Sequence, residues 1–117
     1  MRITTIVTLS VISISLAACG GSIPPPNDEM IAANTDVGAA EAGGAPAVPD
    51  AKLHLELAEE DLRQSKTYMN EDNKRAASLI ALAKVEAQLA LSLAKEIIAQ
   101  QVAQKAQADV VKAKGGS

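Results

Sequence analysis

The sequence predicts an all-α protein, an antiparallel helical hairpin of coiled-coil character that follows a signal peptide and a flexible linker. Three observations carry this. First, 48% of the 117 residues are hydrophobic, yet the chain has one Tyr, no Trp and no Phe. Without aromatic area a dense globular core is not expected, whereas an aliphatic, Ala-rich chain suits long helices packed side by side. Second, no Gly or Pro occurs between Asp50 and Lys114, so nothing in that stretch breaks a helix. Third, its apolar residues recur at alternating spacings of three and four, the repeat of a coiled-coil seam. The length allows one small domain at most. A formal net charge of -3 indicates neither a polybasic nucleic-acid surface nor a strongly acidic tail.

The N-terminus reads as an export signal. Arg2 is followed by an uncharged stretch of 14 residues from Ile3 to Leu16. A bilayer core of about 30 Å takes roughly 20 apolar residues to span, so this stretch is too short for a stable membrane helix. It has the length of the apolar region of a signal peptide, with small residues after it. The segment closes on Leu16-Ala17-Ala18-Cys19, which resembles the lipobox of bacterial lipoprotein precursors. That resemblance implies cleavage between Ala18 and Cys19, a diacylglyceryl group on Cys19 Sγ and an acyl chain on the freed amine. The chemistry needs a thiol that forms a stable thioether, and three acyl chains hold firmly where one holds only marginally. Cys19 is the sole cysteine, so no intramolecular disulfide is available. Gly20 stands where the inner-membrane retention signal of enteric bacteria has Asp. By analogy the expected address is the outer membrane, facing the periplasm, ahead of the inner membrane or the cell surface.

Gly20-Gly21-Ser22 and Pro24-Pro25-Pro26 then form a spacer, free at the glycines and extended at the prolines. Fully stretched, it reaches about 25–28 Å. Asn27-Asp28-Glu29 suits a helix start, and Met30, Ala33, Val37 and Ala40 follow as a helical stripe. Gly38, Gly43, Gly44, Pro46 and Pro49 weaken and end it. Residues 28–42 are thus either a short third helix or a disordered spacer. The expected organisation is a signal peptide over 1–18, a lipidated cysteine and linker over 19–49, and the hairpin over 50–114.

In the first hairpin helix the seam is Ala51, Leu55, Ala58, Leu62, Ser65 and Met69. Four turn-favouring residues, Asn70-Glu71-Asp72-Asn73, make the connection, with Asn70 or Asp72 capping the next helix. The second helix runs from Lys74 to about Ala113, with a seam at Ala76, Ile80, Ala83, Ala87, Ala90, Ala94 and Ile97. Leu79, Leu82, Leu89 and Leu93 flank that seam and are expected to supply buried area. Lys84, Gln88, Ser92 and Lys95 form the wet face. At 1.5 Å per residue, the first helix is about 28 Å long and the second about 60 Å. One antiparallel partner therefore covers half of the longer helix. Ile97, Ile98, Val102, Ala106 and Val110 continue an apolar strip beyond it, the expected interaction face. Its cover is residues 28–42 folding back, a second copy of the chain or another envelope protein; without cover the end frays.

No constellation points to catalysis. His54 is the only histidine, and a metal site needs three or four convergent ligands. Glu56, Glu59 and Glu60 read as a solvated helix face rather than paired acid–base groups. Ser65 lies on the seam, and Tyr68 plugs the hairpin end. No enzyme, metal, nucleic-acid partner or small-molecule substrate is expected, and no cofactor beyond the lipid on Cys19.

Together these pieces resemble a family of bacterial envelope lipoproteins, domain of unknown function 4398. The matching segments are Ala33 to Ala45, Pro46-Ala47-Val48-Pro49, Leu57 to Leu62, Asp72 to Ala76, and Leu79 through Ala94. The resemblance implies a short helix, a Pro-containing break and a hairpin, and brings no catalytic residues. Some relatives carry a peptidoglycan-binding OmpA-like domain further along, and none is expected here before Ser117. A fainter likeness is to the major outer-membrane lipoprotein, which trimerises and joins peptidoglycan through a terminal Lys. Lys114 here precedes Gly115-Gly116-Ser117, so such attachment is not expected. The expected function is a non-enzymatic structural or adaptor module of the cell envelope. The alternative is a dedicated binding subunit of an envelope transport or secretion complex that docks through the distal half of the long helix.

Overall fold

The structure, a computed structural model, describes residues 21–116. Three helices follow one another: α1 (Asn27–Ala42), α2 (Pro49–Tyr68) and α3 (Asn73–Gly115), with a 3-10 turn at Ala45–Ala47 between the first two. There is no strand among the described residues. Residues 28–42 are therefore helical, and they belong to the folded body.

Each boundary has a local cause. Asp28 and Glu29 place carboxylates at the positive end of α1. At its other end the Gly43 N–H donates to the Ala39 carbonyl, and Gly44 takes φ 94°, a left-handed conformation open to glycine. Val48 is extended, and Pro49 occupies the first position of α2, where its missing N–H costs nothing. The α2–α3 connection uses Asn70 at φ 72°. Asp72 caps α3, its Oδ1 accepting from the Arg75 N–H at 3.0 Å.

The inner seams fall where the periodicity puts them. Ala51, Leu55, Ala58, Leu62 and Ser65 are buried on α2, and Ala76, Ile80, Ala83, Ala87, Ala90 and Ala94 on α3. On α1 the buried residues are Ala33, Val37 and Ala40, with Met30 packed against the same core. Alanine at so many contact positions lets the backbones approach closely, so each helix contributes little area but many short contacts.

Helix α1 completes a three-helix bundle and runs parallel to α3. The Asn73 side chain donates to the Ile23 carbonyl at 2.7 Å, Gln88 Nε2 donates to Asp36 Oδ2 at 3.1 Å, and Gly44 lies beside Ile98. Helix α2 is antiparallel to both. Three expectations change as a result. The folded body begins at Asn27 rather than Asp50. The spacer does not hang free along its length, because Pro26 is buried and Ile23 is tied to the start of α3. And α1 lies beside the first half of α3, not over the distal strip. With α1 on that side, Gln88 of the expected wet face makes a hydrogen bond between helices, while Leu82 and Leu89 stay 47% and 40% exposed.

The glycines within and just after α1 differ in what they permit. Gly38 is exposed in the helix interior, and an added Cβ meets nothing within 4 Å. Gly38→Ala should stabilise by about 0.5–1 kcal/mol through helix entropy. A Cβ on Gly44 would lie 2.7 Å from Ile98 Cδ1 at φ 94°, and the strained backbone makes Gly44→Ala cost on the order of 1–2 kcal/mol. Thermal melts of the two variants should shift in opposite directions. Equal shifts would mean that the α1–α2 corner is not built as described.

Candidate functional site

Cys19 and Ala18, the expected lipidation and cleavage positions, lie outside the described residues. The remaining expected positions are on the second half of α3, and the structure divides them. Ile97 is partly buried and packs on the core, and Ile98 is 38% exposed with Cδ1 against the Gly44 corner. These two close the end of the bundle. Val102, Ala106 and Val110 stand on a helix whose every described residue from Ile98 onward is exposed. Val102 is 63% and Val110 52% exposed, with Val111 beside it at 70%. Ala106, Gln107, Val110 and Val111 line a shallow apolar depression there.

Along α3 the character of the inner seam changes at this boundary. From Ala76 to Ile97 every seam position is apolar, and the same heptad positions then carry Gln101 and Gln104. The face that α2 and α1 cover turns polar where they end. Ala108 and Val111 then resume those seam positions, whereas Val102, Ala106 and Val110 lie on other sides of the helix.

A polar contact invisible to sequence spacing sits between α2 and α3. His54 Nδ1 and Glu86 Oε2 are 2.5 Å apart, 32 positions apart in the chain, with both side chains largely shielded. Asp61 lies on the same side of α2. Burial, and secondarily the charge of Glu86, raises its carboxyl above the ordinary 3.8. The ion pairs among the described residues are this contact, Lys52 with Glu56 at 3.6 Å, and Arg63 with Glu60. Among the described residues, neither Asp61 nor Glu86 forms an ion pair with a lysine or arginine. The sequence placed His54 beside Asp50; only the pairing of α2 with α3 supplies Glu86.

Other side chains have structural partners. Ser65 is buried and its hydroxyl donates to the Leu62 carbonyl at 2.8 Å, so its proton is engaged within its own helix turn. Arg75 stacks 4.0 Å from the centroid of the Tyr68 ring at the hairpin end. Glu56 and Glu59 are exposed. No group of three or more His, Cys, Asp or Glu that could hold a metal is present among the described residues. By length and composition α3 could cross a membrane, but a seam along its first half is buried against α1 and α2.

Compared with protein families, with curated proteins and with solved structures, the chain matches none. The likeness to domain of unknown function 4398 rests on the segments quoted above alone.

Proposed function

We propose that this chain is a lipid-anchored, non-enzymatic module of the bacterial envelope, held at the outer membrane by Cys19 and presenting a small helical bundle to the periplasm. The observation that carries the reading is Leu16-Ala17-Ala18-Cys19 at the end of a 14-residue apolar stretch too short to span a bilayer. The bundle suits such a role. It is built from close Ala seams, and α3 extends about 26 Å beyond its helical partners.

The test is metabolic labelling of cells with an alkyne fatty acid, followed by mass analysis of the purified chain. The expected product begins at Cys19 and carries a diacylglyceryl group and an N-acyl chain; Cys19→Ser abolishes the label. An unmodified Cys19, or a label that survives Cys19→Ser, would end the anchoring account. One observation favours a second reading, a binding subunit of a transport or secretion complex: α3 is uncovered from Ile98 onward. A crosslinker at Val102 that captures one defined envelope protein, and never a second copy, would favour that reading.

A further inference from the structure

The outer side of α3 carries a second heptad stripe, distinct from the buried one. It starts at Leu82 and steps by three and four without a break to Ala113, through ten positions. Eight of them are Leu, Val or Ala; the exceptions are Ser92 and Glu96. Every one of the ten is exposed. Over the first half of α3 the stripe lies away from the Ala seam, and over the second half, where it shares Ala106 and Val110 with the distal apolar strip, no described residue covers it. A sustained repeat of this length is the pattern that pairs one helix with another, and no helix among the described residues is placed to use it.

We propose that the occupant is a second copy of the chain, bound through α3 in antiparallel register, so that the free half of each α3 packs as a fourth helix on the bundle of the other. Four features of the molecule select this arrangement. The stripe is complementary to itself when reversed: Leu82 meets Ala113, Leu89 meets Ala106 and Val85 meets Val110, large residues largely against small ones. A parallel, in-register pair would instead set Glu96 against Glu96, which an apolar seam penalises. Reversed, Glu96 falls opposite Ala99.

Lengths also agree. Helices α1 and α2 flank α3 from its start to about Ile97, and in the reversed register residue 98 of the second copy falls level with residue 97 of the first. The two bundles then meet end to end without overlap, and each uncovered half of α3 lies along the other copy's covered half. The paired stripes run from residue 82 to residue 113, about 46 Å along each helix.

Charge and shape at the edge of the seam fit as well. The His54–Glu86 contact fixes the register of α2 on α3 and places Leu57, 43% exposed, level with residue 83. The second copy's Val111 falls level with residue 84, beside Leu57. Its Lys114 falls near Asp61, a carboxyl that forms no ion pair with a lysine or arginine among the described residues. Residues 99–116 hold three lysines and one aspartate, a net positive helix end brought to an acidic shoulder. The inference uses α2 and α3 only and does not depend on the lipid at Cys19.

Pairwise disulfide formation in cells tests it, in the full chain with Cys19→Ser so that the introduced thiols are the only ones. Chains carrying Leu89→Cys and chains carrying Ala106→Cys, expressed together under oxidation, should give a covalent dimer in high yield. Ala103→Cys expressed alone should give at least tenfold less, because in the reversed register it faces Ser92. Adding Val85→Glu and Val110→Glu, both at exposed positions, should cut the mixed dimer at least tenfold while the far-ultraviolet circular dichroism stays helical. A strong dimer from Ala103→Cys alone would replace the proposal with a parallel pair. No dimer from the mixed chains, or adducts only to other proteins, would overturn it.

Discussion

Ile80→Ala is expected to lower the unfolding temperature by ~10–20 °C. Ile80 is the largest apolar side chain in the molecule with no exposure at all, at the level where α2 and α3 pack near their shared turn. Truncation to Ala removes three carbons from a site whose neighbours are fixed by backbone contact, so the void cannot close. Such substitutions cost on the order of 2–5 kcal/mol. The better helix propensity of Ala returns a few tenths of a kcal/mol. In a bundle of under a hundred residues each kcal/mol moves the midpoint by about 4–8 °C. Ile80→Val should show a loss of about 1 kcal/mol in the same melts. A shift below ~3 °C for the Ala variant would mean that this seam is not the core.

Ala87→Leu tests the opposite fault. Ala87 is fully buried in the part of α3 flanked by both α1 and α2. Three extra carbons there force the helices apart or drive side chains off their rotamers, at about 1–3 kcal/mol or more. A close Ala seam has no flexible neighbour to absorb them, so the upper part of that range is expected. Ala108→Leu is the matched control. It adds the same atoms at an exposed position beyond the covered part of the inner seam, and its effect should stay within about ±0.5 kcal/mol. Denaturant melts that give the two variants equal midpoints would contradict close helix packing.

If α3 pairs in reverse as inferred, the two turn ends of the dimer lie about 80 Å apart. The spacer of each copy leaves from that end, since Ile23 is tied to Asn73. Two lipid anchors at opposite ends would lay the dimer along one membrane or tie two membranes together. The monomeric reading has a single anchor and a free helix tip instead.

Much of the fold was legible in the sequence, for a physical reason. In helices the repeat of buried positions is set by local geometry, so Ala51 to Ser65 and Ala76 to Ala94 could be assigned to inner faces by spacing alone. For α1 the spacing of Met30, Ala33, Val37 and Ala40 left a helix and a disordered spacer both open, and packing on the core decides for the helix. The turn at Asn70–Asn73 was readable from its four turn-favouring residues, with Asn70 and Asp72 both open as the cap, and the structure selects Asp72. Spacing does not say how many faces of a helix are used, or by what. Leu82 and Leu89 flank the seam and were expected to be buried; with α1 on the other side of α3, nothing covers them.

What the sequence determined by itself is therefore the class of fold, the seams and the turn, all encoded over a few neighbouring residues. Tertiary structure decided the rest: that α1 docks parallel to α3 and ties down the spacer, that His54 meets Glu86, and that α3 is covered as far as Ile97 and bare beyond. Those facts depend on which helix lies beside which, a choice made by contacts dozens of residues apart in the chain, and local periodicity carries no record of it.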